Sequence, residues 1–243
     1  MIAVITNLIS VIPYVGKDLI EFIYGGFNIG GPTLSRFYSL HYLLPFIIAG
    51  ISIVHLIAIH DSGGSNPLGI SSKALINFHP YYTFKDILGF ILLITGLLYI
   101  VSFIPNSLGH SDNYIPGNML VTPDHIVPEW YLLPFYAILR AIPNKTLGVL
   151  AMIAAIAILF TLPHSNNYWI NTSKFRPMYL LSIYILITVF ILLLWIGQAV
   201  VEDPYILIGQ ILTGLYFFIF ILLLPIISFI ESFLWYISIK KSK

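Results

Sequence analysis

The sequence predicts an all-α integral membrane protein, with about five transmembrane helices joined by short interfacial helices in one helical bundle. Three observations carry this: 58% of the 243 residues are hydrophobic and only 9% charged, the mean hydropathy is +0.94, and the apolar stretches are about as long as a membrane is thick. A helix rising about 1.5 Å per residue needs about 20 residues to cross a hydrocarbon core of about 30 Å. A soluble domain of ordinary composition lies far from these values.

The chain opens on MIAVITNLISVIPYVG, apolar but broken by Asn7, Ser10 and Pro13. It has neither the layout of a cleaved signal peptide nor that of an Arg-rich transit sequence, so insertion signals are expected in the spans themselves. Residues 1–37 also contain Gly25-Gly26 and Gly30-Gly31-Pro32, and residues 105–146 contain Pro105, Pro116, Pro123, Pro128 and Pro134. Both stretches read as interfacial segments with short helices. Five apolar segments stand between and after them: Tyr38 to Ile59, Ile87 to Ile104, Leu147 to Leu162, Tyr179 to Ile196 and Ile206 to Ile237. The last is long enough to tilt or overrun the bilayer. The organisation predicted is 1–104, an interfacial segment with a two-histidine helix and the following span; 105–146, a loop; and 147–243, a three-helix membrane region. With no cysteine in the chain, disulfides, iron–sulfur ligation and covalent haem attachment through a CxxCH motif are excluded.

Charge sets the orientation. Lys73, Lys85, Lys174, Arg176, Lys240, Lys241 and Lys243 outnumber Asp61, Asp86 and Glu231 on one side of a five-span chain. On the other, Asp18, Glu21, Asp112, Asp124, Glu129, Glu202 and Asp203 outnumber Lys17, Arg36, Arg140 and Lys145. All these charges are expected outside the apolar centres of the spans. The basic side, with the C-terminus, is therefore expected in the bacterial cytoplasm or mitochondrial matrix.

Through the first span runs LLPFIIAGISIVHLIAIH, residues 43–60, a stretch that His41 precedes by two residues. His41 and His55 are fourteen residues apart, which at 100° per residue falls 40° short of four turns. They share one face, about 21 Å apart along the axis, one near each rim of the membrane. A polar side chain in a span needs a partner. A hydrogen bond to a neighbouring helix would satisfy a lone histidine; a pair on one stripe at opposite depths favours two stacked metal centres. Haem b fits, each iron taking an imidazole from two facing helices, with Ala49 and Gly50 between the histidines to admit a flat macrocycle. Pro45 lacks the N–H that would bond the carbonyl of His41, so a bend beside the first ligand and an ordinary packing kink are both open. The other histidines, His60, His79, His110, His125 and His164, lie in or beside loops. The opposing ligands are expected from elsewhere.

Two further stretches carry candidate chemistry. VTPDHIVPEWYLLPFYAILRAIPNK, residues 121–145, sets Glu129 between Pro128 and Trp130, with Tyr131, Phe135 and Tyr136 beyond. A carboxylate walled by proline and aromatic rings can be desolvated and take up a proton near neutral pH; a solvated loop glutamate beside an interfacial aromatic belt is the plainer alternative. On the opposite face, His60 and HPYYTFKD, residues 79–86, bring an imidazole, Lys85 and Asp86. These groups can exchange protons with a quinone, or serve as a basic loop snorkelling to lipid phosphates.

These motifs resemble the C-terminal portion of mitochondrial cytochrome b, the haem-bearing core of ubiquinol–cytochrome c reductase (the bc1 complex, complex III). The resemblance rests on VITNLISVIPYVG, the His41 to His55 spacing, SNPLGI, KDILG, SDNYIPGN, VPEWYLLPFYAILRAIPNK and VEDPYILIGQ, in the family's order over nearly the whole chain. It implies that His41 ligates the low-potential haem b near a quinol-oxidising site, and His55 the high-potential haem b near a quinone-reducing site. It implies Glu129 as a proton acceptor at the oxidising site, with Ile5, Ile126, Pro128, Tyr131, Leu132, Phe135 and Tyr136 lining the pocket. His60, Phe78, Lys85 and Asp86 match reducing-site positions. The substrate implied is ubiquinol/ubiquinone, with the Rieske iron–sulfur protein and cytochrome c1 among the partners, in a dimeric complex of the mitochondrial inner membrane, surrounded by lipid and without nucleic acid.

The sequence departs from the family in two places. The family's preceding elements, with their own ligand histidines, are missing, and Met1-Ile2-Ala3 replaces Trp-Gly-Ala-Thr. The expectation is a split protein whose N-terminal half is another chain; a truncated chain or one exon of an interrupted gene reads the same way. SGGSNP also places Gly64 where many relatives have serine, removing a hydroxyl from the reducing site. The subunit IV half of the plastid b6f complex shares PEWY but lacks the haem helix. Outside this class, a proton-coupled transporter or a scaffold without cofactor is the rival, although the sequence has no visible inverted repeat.

Overall fold

The computed structural model describes residues 6, 8–62, 66–70, 73–109, 114, 127–165 and 172–241. Helices make up the framework: α1 (Gly16–Tyr24), α2 (Gly31–Ser62), α3 (Tyr81–Phe103), α4 (Leu133–Ala141), α5 (Lys145–Ala157), α6 (Leu162–Ser165), α7 (Pro177–Gln198), α8 (Tyr205–Phe218) and α9 (Leu224–Lys241). Among the described residues, five stretches are long and apolar enough to cross a membrane: Gly31–Asp61, Tyr81–Phe103, Lys145–His164, Pro177–Gln198 and Tyr205–Ser238. Each contains one of the five segments predicted from hydropathy, apart from a single residue at the end of the second.

The chain forms two compact units, residues 1–69 with 119–243, and residues 70–118. The first holds α1, α2 and α4–α9. Its core is built where α4, α7, α8 and the segment after α8 meet, around Ala137, Ile138, Leu193, Ile196, Tyr216 and Ile219, with Ala155 of α5 at its edge. Leu193 and Ile138 are fully buried. The second unit is α3 with its flanks; no residue in the most apolar window of α3 is buried, and the same is true of α2. Helices apolar all round belong against lipid or further protein.

Local chemistry explains the boundaries. At the end of α1, Gly25 adopts φ 70°, and its N–H bonds the carbonyl of Glu21, a left-handed cap that suits glycine. The Thr33 hydroxyl donates to the Tyr24 carbonyl at 2.7 Å and accepts from the Gly30 N–H at 3.2 Å. Pro32, at the second position of α2, has no N–H to leave unpaired there. The first span therefore begins at Gly31, seven residues before the apolar run at Tyr38: the Gly-Gly-Pro cluster expected to break a helix instead starts one. α2 continues through Pro45 to Ser62. Within it, Ser39 and Ser52 return their hydroxyls to the carbonyls of Ser35 and Ile48, each at 2.8 Å, which satisfies them within the helix itself.

Asn144 caps α5, its side chain accepting from the Leu147 N–H at 3.0 Å. The path from α5 to α6 tightens into a 3₁₀ segment over Ile158–Thr161. Between α8 and α9 the helix widens into a π segment over Ile219–Leu223, just before Pro225 removes one amide from the ladder.

Long-range hydrogen bonds sort the ends of the spans. At one end, Lys145 Nζ donates to Ser10 Oγ at 3.0 Å, and Arg140 donates to the carbonyls of Ala199 and Ile196. At the other, Thr172 Oγ1 donates to the Pro67 carbonyl at 2.8 Å, and Trp235 Nε1 to the Phe175 carbonyl at 3.2 Å. This grouping matches the two sides used for the charge count.

Glu231 lies inside the predicted Ile206–Ile237 segment, within a membrane-length helix, and is 5% exposed. Nε of Arg176 approaches it to 3.4 Å. Burial of a carboxylate is tolerated here because it is paired and hydrogen-bonded.

Candidate functional site

His41 and His55 both lie on the unbroken α2 and are exposed along it. Fourteen residues of continuous helix separate them by about 21 Å. Between them, a Cβ added to Gly50 would meet nothing within 4 Å. Two accessible imidazoles on one helix, with an open glycine between them, leave room beside the helix for a flat macrocycle. Among the described residues, no three His, Asp or Glu side chains gather as a metal cluster.

The carboxylate site is built on the turn ahead of α4. Glu129, half-buried, precedes a 3₁₀ turn over Trp130–Leu132, which closes when the Leu132 N–H bonds the Glu129 carbonyl at 2.9 Å. Pro128 fixes the backbone on its other side. Pro128 and Leu132 are half-buried, whereas Tyr131 is 54% exposed, its ring meeting that of Trp130 edge-on at 5.7 Å. Phe135 packs edge-on against Phe190 of α7 at 6.0 Å. Tyr136 lies beneath the guanidinium of Arg140, 5.1 Å from the ring centre. Glu129, Tyr131, Leu132, Phe135 and Tyr136 thus come from one short turn-and-helix element, seated on α7.

Two features of that seat were not singled out in the sequence. Gly197 of α7 is so close to α4 that a Cβ there would overlap the carbonyl of Leu133. Arg140, at the other end of α4, donates to the carbonyls of Ile196 at 2.7 Å and Ala199 at 2.9 Å. On the opposite flank, a Cβ on Gly148 of α5 would come within 2.6 Å of the Leu139 carbonyl. The usable signal for Arg140 was its isolation among apolar residues: a lone arginine in AILRAI needs acceptors. Nothing local marks Gly197.

At the other end of the spans, His60 sits in the last turn of α2, exposed. Phe78, Lys85 and Asp86 belong to the second unit. Phe78 stacks on Tyr82 at 5.9 Å, and Lys85 and Asp86 lie exposed near the start of α3. His79 Nδ1 and Thr83 Oγ1 are 3.2 Å apart across that start. Ile5, Ile126 and Gly64 lie outside the described residues.

Fold and site together define a multi-span, all-α membrane protein that presents two imidazoles along one span and a carboxylate on a turn at the edge of the bundle. Comparison with known proteins narrows this class. Residues 1–63 match the family model "Cytochrome b/b6/petB" and residues 116–217 match "Cytochrome b(C-terminal)/b6/petD". The cytochrome b of Chondrus crispus is 51% identical over 232 residues, covering 95% of this chain and 61% of the relative. That of Trichophyton rubrum is 51% identical over 240 residues, covering 98% and 62%, and that of Saccharomyces cerevisiae is 51% identical over 236 residues, covering 97% and 61%. A solved chain described as "Hyperthermophilic respiratory Complex III" superimposes with a TM-score of 0.84 at 30% identity, over 95% of this chain and 62% of its own length. This chain belongs to the cytochrome b family. It spans about three fifths of the length of the relatives it matches.

Proposed function

We propose that this chain is the haem-bearing C-terminal part of the core subunit of a ubiquinol–cytochrome c reductase, acting with an N-terminal cytochrome b part that brings the opposing ligands. The observation that carries this is the pair of exposed imidazoles fourteen residues apart on one unbroken, mostly apolar span. His41 and His55 would each hold one haem b. When bound, the two haems provide a one-electron path across the membrane.

Ubiquinol binds beside the Glu129 turn, against Pro128, Tyr131, Leu132, Phe135 and Tyr136. Its oxidation to quinone releases two protons and two electrons; the Glu129 carboxylate accepts one proton and passes it to the aqueous edge. One electron leaves to the Rieske iron–sulfur protein and cytochrome c1, and the other crosses the bilayer. On the basic side, Lys85 and Asp86 deliver protons to a quinone that takes up two such electrons, one from each of two quinol oxidations, with Phe78 against its ring; His60 is a separate proton carrier at the end of α2. Carrying one charge across works against about 2.3 kcal/mol per 100 mV of membrane potential, which is how the reaction conserves energy. The basic ends of the spans, with the C-terminus, face the mitochondrial matrix.

The test is a potentiometric titration of haem absorbance, with the haem-to-chain ratio, on the native complex captured through this chain. Two b-type haems per copy at separate potentials, together with a protein bearing two further ligand histidines, are expected. No haem in the intact complex would overturn the electron-transfer reading in favour of a transporter or scaffold.

A further inference from the structure

The turn that carries Glu129 has few restraints of its own. Its 3₁₀ hydrogen bonds run only from the Leu132 N–H to the Glu129 carbonyl and from the Leu133 N–H to the Trp130 carbonyl, Trp130 and Tyr131 are about half exposed, and α4 is only nine residues long. A helix of that length is not stable by itself in water. Its position must be imposed by what it rests on.

That support is the C-terminal end of α7, and it grips α4 at both ends. At the first residue of α4, the carbonyl of Leu133 lies against Gly197 so closely that no side chain fits between them. Two turns later, Arg140 donates through Nη2 to the Ile196 carbonyl at 2.7 Å and through Nη1 to the Ala199 carbonyl at 2.9 Å. These acceptors lie at the end of α7, where the Ile196 carbonyl also accepts from the capping Ala199 N–H at 3.1 Å and the helix dipole favours a cation. The planar guanidinium reaches both at once, which a lysine ammonium on a flexible stem does not. The same guanidinium lies over the Tyr136 ring, so one cation fixes the helix end and an aromatic wall of the site.

We infer that Arg140 and Gly197 are positioning residues for quinol oxidation: together they set the height and rotation of the Glu129 turn on α7 without touching the substrate themselves. This rests on the quinol-oxidising reading of Glu129. Charge is central at Arg140 and size at Gly197, so the two can be perturbed by unrelated chemistry and should give the same kinetic signature.

The experiment is steady-state quinol:cytochrome c kinetics on the purified complex containing wild-type chain, Arg140→Gln, Arg140→Lys or Gly197→Ala, with haem per chain measured on the same samples. Misplacing a binding wall weakens substrate binding, whereas loss of folded complex lowers the active fraction and leaves KM alone. The expected result is a rise in quinol KM of about tenfold in Arg140→Gln, a smaller rise in Arg140→Lys, and a rise comparable to the first in Gly197→Ala, all at unchanged haem content and haem spectra. An unchanged KM in Arg140→Gln and Gly197→Ala, or a loss of turnover that only follows loss of haem, overturns the inference. If Arg140→Gln does not assemble, the KM of Gly197→Ala decides alone, because that variant keeps the cation. A wild-type complex that binds no haem and oxidises no quinol would instead refute the functional reading underneath.

Discussion

The carboxylate of Glu231 reaches across the end of the bundle to Arg176, its Oε2 standing 3.4 Å from the guanidinium Nε. Its Oε1 accepts from the backbone N–H of Met178 at 2.7 Å and of Tyr179 at 3.3 Å. Arg176 in turn donates to Ser228 Oγ and lies 4.1 Å from the centre of the Tyr179 ring. One buried anion thus neutralises one buried cation and satisfies the first amides of α7, where the helix dipole favours negative charge. Removing one member of a buried pair strands the other, at a cost of about 3–5 kcal/mol. Glu231→Ala should therefore lower the thermal inactivation midpoint of the complex sharply. Glu231→Gln, which keeps a carbonyl for the α7 amides, should lower it less. Equal midpoints for both variants and wild type would mean that the pair does not hold α7 to α9.

How much of this was legible in the sequence follows from the kind of signal each feature leaves. The spans were legible because burial in lipid requires continuous apolar length, which hydropathy measures directly. The histidine stripe was legible because helical period converts spacing into a face. The start of α2 was not, since Gly30-Gly31-Pro32 reads as a breaker until Thr33 is seen tying α2 to the end of α1. Nor was the Arg176–Glu231 pair: its members are 55 residues apart, and only tertiary packing brings them together. For the same reason, Glu129 was legible as a carboxylate among rings, while its seat on Gly197 and Arg140 was not.

The ligand assignment makes a spectroscopic prediction. His55→Leu removes the proposed second ligand of α2 and leaves His60, five residues further on, in place, so the complex should retain one b-type haem per copy and lose the other. Reduced-minus-oxidised spectra and pyridine haemochrome analysis measure this. Two full haem signals in the variant would show that the iron takes its nitrogen elsewhere.

Glu129→Gln preserves the shape of the turn and the Leu132 N–H bond to the residue 129 carbonyl, but removes a proton acceptor. General-base loss typically costs a factor of about 10²–10⁴, moderated where water can substitute. Quinol oxidation should slow by at least about tenfold, with both haem spectra intact. Pre-steady-state haem reduction by quinol is the measurement, and an unaltered rate across the pH range would remove Glu129 from proton transfer.

Asp86→Asn tests the proposed quinone-reducing chemistry. Asp86 lies near the start of α3, exposed, and its proposed role is confined to the reducing side. Haem reoxidation by quinone should be impaired more than haem reduction by quinol. The reverse order would mean that the two quinone chemistries have been assigned to the wrong ends of the spans.

Topology can be tested without reference to any cofactor, because the chain has no cysteine and each introduced thiol is unique. Lys174 and Glu202 are both exposed and flank α7. Twenty-eight residues separate them, and α7 alone, at 22 residues, rises about 33 Å, enough to cross a hydrocarbon core of about 30 Å. Lys174→Cys and Glu202→Cys should therefore react with a membrane-impermeant maleimide from opposite faces of sealed vesicles of known sidedness. The excess of basic residues around Lys174 places it on the matrix or cytoplasmic face, so Glu202→Cys should be the thiol labelled from the outer face. Labelling of both thiols from one face would break the five-span arrangement. Labelling of Lys174→Cys alone from the outer face would keep the spans but invert them, and with them the assignment of Glu129 to the acidic side and Asp86 to the basic side.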